Sequence, residues 1–149
     1  MSNRFDLSRA INTPLSFGGP ESITLNDFDN DGAGDVVITS PGGSQSELGV
    51  YLNNGDQTFT ETTVINDLPE QVALASADLN GDGNADLVQA SGDNQSATVL
   101  FGDGTGGFPT RTQLSTTHVP QSLEIADIDG DGNRDLAIGT ADRGGVNVF

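Results

Sequence analysis

The chain has 149 residues, with 22 Asp or Glu against 5 Arg and no Lys, giving a formal net charge of −17. That imbalance argues against nucleic-acid phosphates and anionic membrane surfaces as partners, and no apolar run approaches the length needed to cross a bilayer. There are no cysteines, so no disulfide framework is available, while 20 glycines point to many tight turns between short elements.

In chain order, the start Met1–Leu7 lacks the apolar stretch of a secretory leader, and none is expected in this chain. Arg4–Leu7 reads as a short strand around Phe5. Period-two alternation predicts strands at Ser22–Asn26, Val72–Ala75 and Leu123–Ala126. Each is followed by an acidic loop and then by a continuous apolar run, at Val36–Ile38, Leu87–Val88 and Leu136–Ile138, of the kind that suits a strand buried on both faces. A third strand is expected at Gly49–Leu52, Ala97–Phe101 and Gly145–Phe149. Gly- and Asn-rich turns at 53–57 and 102–107 then lead into fourth strands at Phe59 and Phe108. No segment offers a helix of ten or more residues.

The acidic loops set the phase of everything else. They read Asp27-Phe-Asp29-Asn-Asp31-Gly32-Ala33-Gly-Asp35, Asp78-Leu-Asn80-Gly-Asp82-Gly83-Asn84-Ala-Asp86 and Asp127-Ile-Asp129-Gly-Asp131-Gly132-Asn133-Arg-Asp135. Their starts at 27, 78 and 127 give periods of 51 and 49 residues. Four short antiparallel strands in each period of that length match a β-propeller blade. The fold class is therefore all-β, with three four-stranded blades. Residues 15–65 form the first blade, 66–114 the second, and 115–149 a third that lacks its own outer strand. Phe5 precedes Asp27 by 22 residues, much as Phe59 and Phe108 each precede the next loop by 19, so residues 1–14 are assigned an outer strand that completes the last blade in circularly permuted phase. Propellers have at least four blades. The expected assembly is therefore a homodimer, closed head-to-tail into a six-bladed ring, with a fragment of a larger propeller as the alternative.

The loops also carry chemistry. Oxygen side chains stand at positions 1, 3, 5 and 9, with Gly at position 6 where the backbone must turn sharply. Ca²⁺, a hard cation, takes six to eight such oxygens. The predicted ligands are Asp27, Asp29, Asp31 and Asp35; Asp78, Asn80, Asp82 and Asp86; and Asp127, Asp129, Asp131 and Asp135. The main-chain carbonyls of Ala33, Asn84 and Asn133 join them at position 7. This is not an EF-hand, because position 12 is Ile38, Gln89 or Ile138 rather than Glu and no helices flank the loop. About three Ca²⁺ per chain are expected, with the middle loop weakest because Asn80 removes one charge. The alternative, ordinary Asx-rich turns, explains one such loop well and three in register poorly.

With its Leu/Val-rich following strands and the Leu52–Phe59 hairpin, the pattern resembles the FG-GAP/VCBS repeat family, found in integrin α propellers and many bacterial surface proteins. The Phe-Gly…Gly-Ala-Pro element of that family is only hinted at by Phe17–Pro20 and Ser40–Pro41, which favours the VCBS-like branch. The resemblance implies a calcium-binding, non-enzymatic scaffold or recognition module, extracellular or at the cell surface. It further implies adhesion or binding of a protein or carbohydrate ligand. Two alternatives are an engineered or excised propeller fragment with no ligand of its own, and part of a hydrolase-type enzyme. The enzyme reading has little to work with: His118 is the one histidine, and there is no Cys nucleophile or Gly-x-Ser-x-Gly elbow. The Asn94-Gln95-Ser96 sequon is formally a glycosylation acceptor.

Overall fold

The computed structural model describes residues 19–41, 46–141 and 145–149. Eleven strands fall into three antiparallel sheets, and no helix occurs among the described residues. The first sheet is β1 (Ser22–Asn26), β2 (Asp35–Pro41), β3 (Ser46–Asn53) and β4 (Phe59–Leu68). The second is β5 (Gln71–Ala77), β6 (Asp86–Ser91), β7 (Ser96–Phe101) and β8 (Thr110–Ser115). The third is β9 (Pro120–Ala126), β10 (Asp135–Thr140) and β11 (Gly145–Val148). Every sheet is a meander in which consecutive strands are neighbours, so all pairings are local and hairpin-connected. The strand assigned to residues 1–14, and with it the completion of the third sheet, lies outside the described residues.

The three acidic loops occupy equivalent places, each joining the first and second strands of its sheet. Loop position 9 is the first residue of the second strand every time: Asn26 pairs with Asp35, Ala77 with Asp86 and Ala126 with Asp135.

Three sequence expectations need adjustment. The strand predicted at Leu87–Val88 runs on to Ser91, because Gln89, which ends the apolar run, is fully buried and its Nε2 donates to the Pro69 carbonyl at 2.6 Å. The fourth strand of the second sheet starts at Thr110, not Phe108. The Phe108 ring instead meets Phe28 of the first acidic loop edge-on at 5.9 Å. The first sheet also continues to Leu68, three residues past the expected boundary at 65.

The sheets stack face to face, with β1 beside β5 and β5 beside β9. One core lies between the first and second sheets, where Val37, Leu48, Val50 and Leu68 meet Leu87 and Leu100. A second core lies between the second and third, where Val88, Ala97 and Val99 meet Leu123, Leu136 and Ile138. Since adjacent residues of a strand point to opposite faces, Leu87 serves one core and Val88 the other. That is why β6 is buried at all six positions, whereas β10 alternates between half-buried and buried.

Polar bonds tie neighbouring sheets together. Thr24 Oγ1 lies 3.0 Å from Ser76 Oγ, and Asn30 Nδ2 donates to Asn84 Oδ1 at 2.8 Å between the first two loops. Gly106, in the left-handed region at φ +80°, donates its N–H to the Phe28 carbonyl at 2.9 Å. A side chain at Gly106 would press on Leu52, so glycine is needed there for both conformation and space.

Leu87 has no exposed surface and no room to relax between two sheets. Leu87→Ala is expected to cost about 2–5 kcal/mol in denaturant unfolding; a loss under about 1 kcal/mol would mean that the face is not closed by packing.

Candidate metal centres

The loop backbones follow one plan. Positions 4 and 6 are left-handed in all three: Asn30 (φ 62°) and Gly32 (φ 87°), Gly81 (75°) and Gly83 (88°), Gly130 (81°) and Gly132 (94°). The glycine at position 6 was evident from the motif. The requirement at position 4 was missed, although its signal was present, because Asn and Gly are the residues that tolerate this conformation at least cost.

Backbone N–H groups hold the side chains in place. The position 1 carboxylate accepts from the position 6 N–H: Gly32 to Asp27 at 2.9 Å, Gly83 to Asp78 at 3.0 Å and Gly132 to Asp127 at 3.1 Å. The position 3 side chain accepts from position 5, with Asp31 donating to Asp29, Asp82 to Asn80 and Asp131 to Asp129. The position 5 carboxylate turns back on its own loop and accepts from the N–H groups of Ala33, Asn84 and Asn133 at 2.7–2.8 Å. Those donations hold Asp82 and Asp131 below the ordinary carboxylate pKa, the backbone N–H of Asn84 or Asn133 being the largest cause.

Position 9 has a separate job. One Asp35 oxygen accepts from the Phe28 N–H at 2.8 Å and the other from the Asn53 N–H at 2.8 Å. Asp86 repeats this with Leu79 and Gly102, both at 2.9 Å, and Asp135 accepts from Ile128 at 2.7 Å. Asp35 and Asp86 are fully buried. Each clamps the loop to the end of the third strand of its own sheet.

Three carboxylates converge in two of the loops. Oxygens of Asp27, Asp29 and Asp35 all lie within 4.8 Å of one another, as do those of Asp127, Asp129 and Asp135. Asp31 and Asp131 stand outside these groups, on their own turns. The middle loop puts the neutral Asn80 at position 3 and so has only two of the three carboxylates. Asn84 is turned toward Asn30 of the first loop.

The clusters carry uncompensated charge. The one ion pair among the described residues, Arg111 with Asp67 at 2.7 Å, lies away from the loops and joins β8 to β4. Desolvation, followed by the charges of Asp35, Asp31 and Asp27, raises the Asp29 pKa against the N–H of Asp31. Asp86 is likewise raised, by burial first and then by Asp82 and Asp78, against the N–H groups of Leu79 and Gly102. A donor set made only of oxygens, crowded and with no ion pair to it among the described residues, is matched to a hard divalent cation. Beside it, an open cavity of about 630 Å³ runs between the second and third loops, lined by Asp78, Gly81, Gly132 and Arg134.

The sequence model for the FG-GAP-like repeat matches residues 27–89 and again 78–138. Each match runs from position 1 of one loop to position 12 of the next, so the family unit and the repeat seen in the sheets have the same phase. The chain belongs to the FG-GAP-like repeat family. No curated protein matches it.

The position 9 clamp separates structure from metal binding. In EDTA, Asp35→Ala leaves the Phe28 and Asn53 N–H groups without an acceptor and is expected to cost about 2–5 kcal/mol. Under the same conditions Asp31→Ala, at an exposed turn, is expected to cost about 1 kcal/mol or less. Equal losses would refute the clamp.

Proposed function

We propose that the chain is a calcium-braced module of β-propeller type, in which each acidic loop holds one Ca²⁺ and the loop-bearing rim serves recognition rather than catalysis. The observation that carries this reading is the convergence of Asp27, Asp29 and Asp35, repeated by Asp127, Asp129 and Asp135, with no ion pair to either cluster among the described residues. In each loop, positions 1, 3 and 9 would supply side-chain oxygens and position 7 a main-chain carbonyl, and position 5 would join them by turning away from its own N–H contact. A bound ion turns mutual repulsion into ligation, and its binding energy adds to fold stability because the unfolded chain has no such site.

The stacked sheets, with β1, β5 and β9 adjacent, fit the inner strands of propeller blades. Extracellular fluids, where repeats of this family typically work, supply Ca²⁺ at levels that saturate even modest sites. Adhesion, or recognition of a protein or carbohydrate, is the function we assign to the rim. The 630 Å³ cavity beside the second and third loops is the concave part of that surface.

Calorimetric titration of the chelator-treated protein is expected to find about three Ca²⁺ per chain, with the Asn80 loop weakest. The melting temperature should rise with added Ca²⁺, each site adding about 2.7 kcal/mol of stability at a hundredfold excess over Kd. Melting curves that coincide in Ca²⁺ and in EDTA would overturn the reading.

A further inference from the structure

The two outermost faces of the stack are the two halves of an interface that the molecule already makes internally. Superposing the repeats on their loops aligns Ile23, Leu25, Val36 and Ile38 of the first sheet with Leu123, Ile125, Leu136 and Ile138 of the third. In both sheets the register places these four on one face: Leu25 pairs with Val36 and Ile23 with Ile38, as Ile125 pairs with Leu136 and Leu123 with Ile138. In the third sheet this face is packed into the core against the second sheet. In the first sheet it is only partly covered, with Ile23 62% and Leu25 65% exposed and Val36 and Ile38 half-buried.

The complementary half shows the same relation. Val88, Ala97 and Val99 are the second sheet's contribution to that core, and Val37, Leu48 and Val50 play the same part in the core before it. Their counterparts in the third sheet are Ala137, Val146 and Val148, placed on one face by the pairing of Ala137 with Val148 and Gly139 with Val146. There Val146 is 65% and Val148 56% exposed. The open surfaces thus have nearly the composition of the closed junction: Ala, Val and Val on one side, and four Ile, Leu or Val residues on the other.

We propose that the open face of β9–β11 in one copy docks on the open face of β1–β2 in a second copy, reproducing in trans the junction between the second and third sheets. The argument is continuity with an interface already present, and it does not depend on metal binding. Because the two faces differ, the contact is head-to-tail, and a pair of copies satisfies all four faces only by making the junction twice, in a closed ring of six sheets. Apolar faces of this kind left in water are a liability that association removes.

The test compares the wild-type chain with Leu25→Glu and Val148→Glu by sedimentation, over a wide range of protein concentration, in Ca²⁺ and in EDTA. Both side chains are exposed, so each variant should keep the wild-type circular dichroism spectrum, and the milder Leu25→Ser and Val148→Ser serve if a Glu variant does not. Wild type is expected at twice the 15.3 kDa chain mass. Each variant alone should dissociate with Kd raised ~100-fold or more, because a charge is forced against an apolar face. Mixing the two variants should recover part of the association, since one junction in the mixed pair carries neither substitution. A wild-type chain that stays at 15.3 kDa throughout would overturn the proposal, leaving these faces to further sheets of another kind. Association untouched by both variants, or variants that fail to complement, would also overturn it, the latter in favour of like-face pairing. Failure here with calcium binding intact, or the reverse, separates this proposal from the metal reading.

Discussion

The position 9 aspartate is the constraint on which the rest of the structure hangs. Asp35 and Asp86 sit at the start of the second strand, buried, with one oxygen on the N–H of loop position 2 and the other on an N–H just beyond or at the end of the third strand. A single carboxylate therefore fixes the loop, the strand that follows it and the next hairpin relative to one another. Charged hydrogen bonds of this kind are stronger than neutral ones, and in a buried setting the alternative is unpaired backbone donors. The loop can then afford left-handed residues at positions 4 and 6, because its ends are pinned.

Pinning the loop has consequences in two directions. Outward, it gathers the carboxylates of positions 1, 3 and 9 into one small space while position 5 caps its own turn. Half of the 22 acidic residues thus lie in the three loops, where a cation can use them, rather than spread as a solubilising coat. Inward, in the first loop, it aims the position 2 side chain at the core. Phe28 is buried, meets Phe108 in the turn between β7 and β8, and its carbonyl receives the Gly106 N–H. The loop is therefore both a candidate metal cradle and a fastening between adjacent sheets.

Much of this could be read from residue order, for definite reasons. Strands such as Ser22–Asn26 and Leu123–Ala126 declare themselves by alternation, since a half-buried strand repeats every two residues. The loops declare themselves because oxygen ligands and an obligatory glycine need fixed spacing. What escaped was whatever depends on a neighbour distant in sequence. Gln89 looks like the end of an apolar run, yet it is buried because the Pro69 carbonyl, twenty residues away, receives its amide. Phe108 looks like the first residue of a strand but meets Phe28 of the first acidic loop instead. Position 4 of the loops was visible only in hindsight, as Asn or Gly three times over.

By itself, the sequence determined the unit: a meander of short strands with an acidic loop between the first two, repeated at intervals of 51 and 49 residues, because periodicity, turn chemistry and ligand spacing are all local properties. The tertiary structure alone decided how the units meet. Leu87 and Val88 are neighbours of similar character, and nothing in their order says that one belongs to the core with the first sheet and the other to the core with the third. Nor does the order distinguish Leu25, open to water, from its counterpart Ile125, packed against the second sheet. Burial is set by what lies across the interface, and that partner surface exists only once the sheets have stacked.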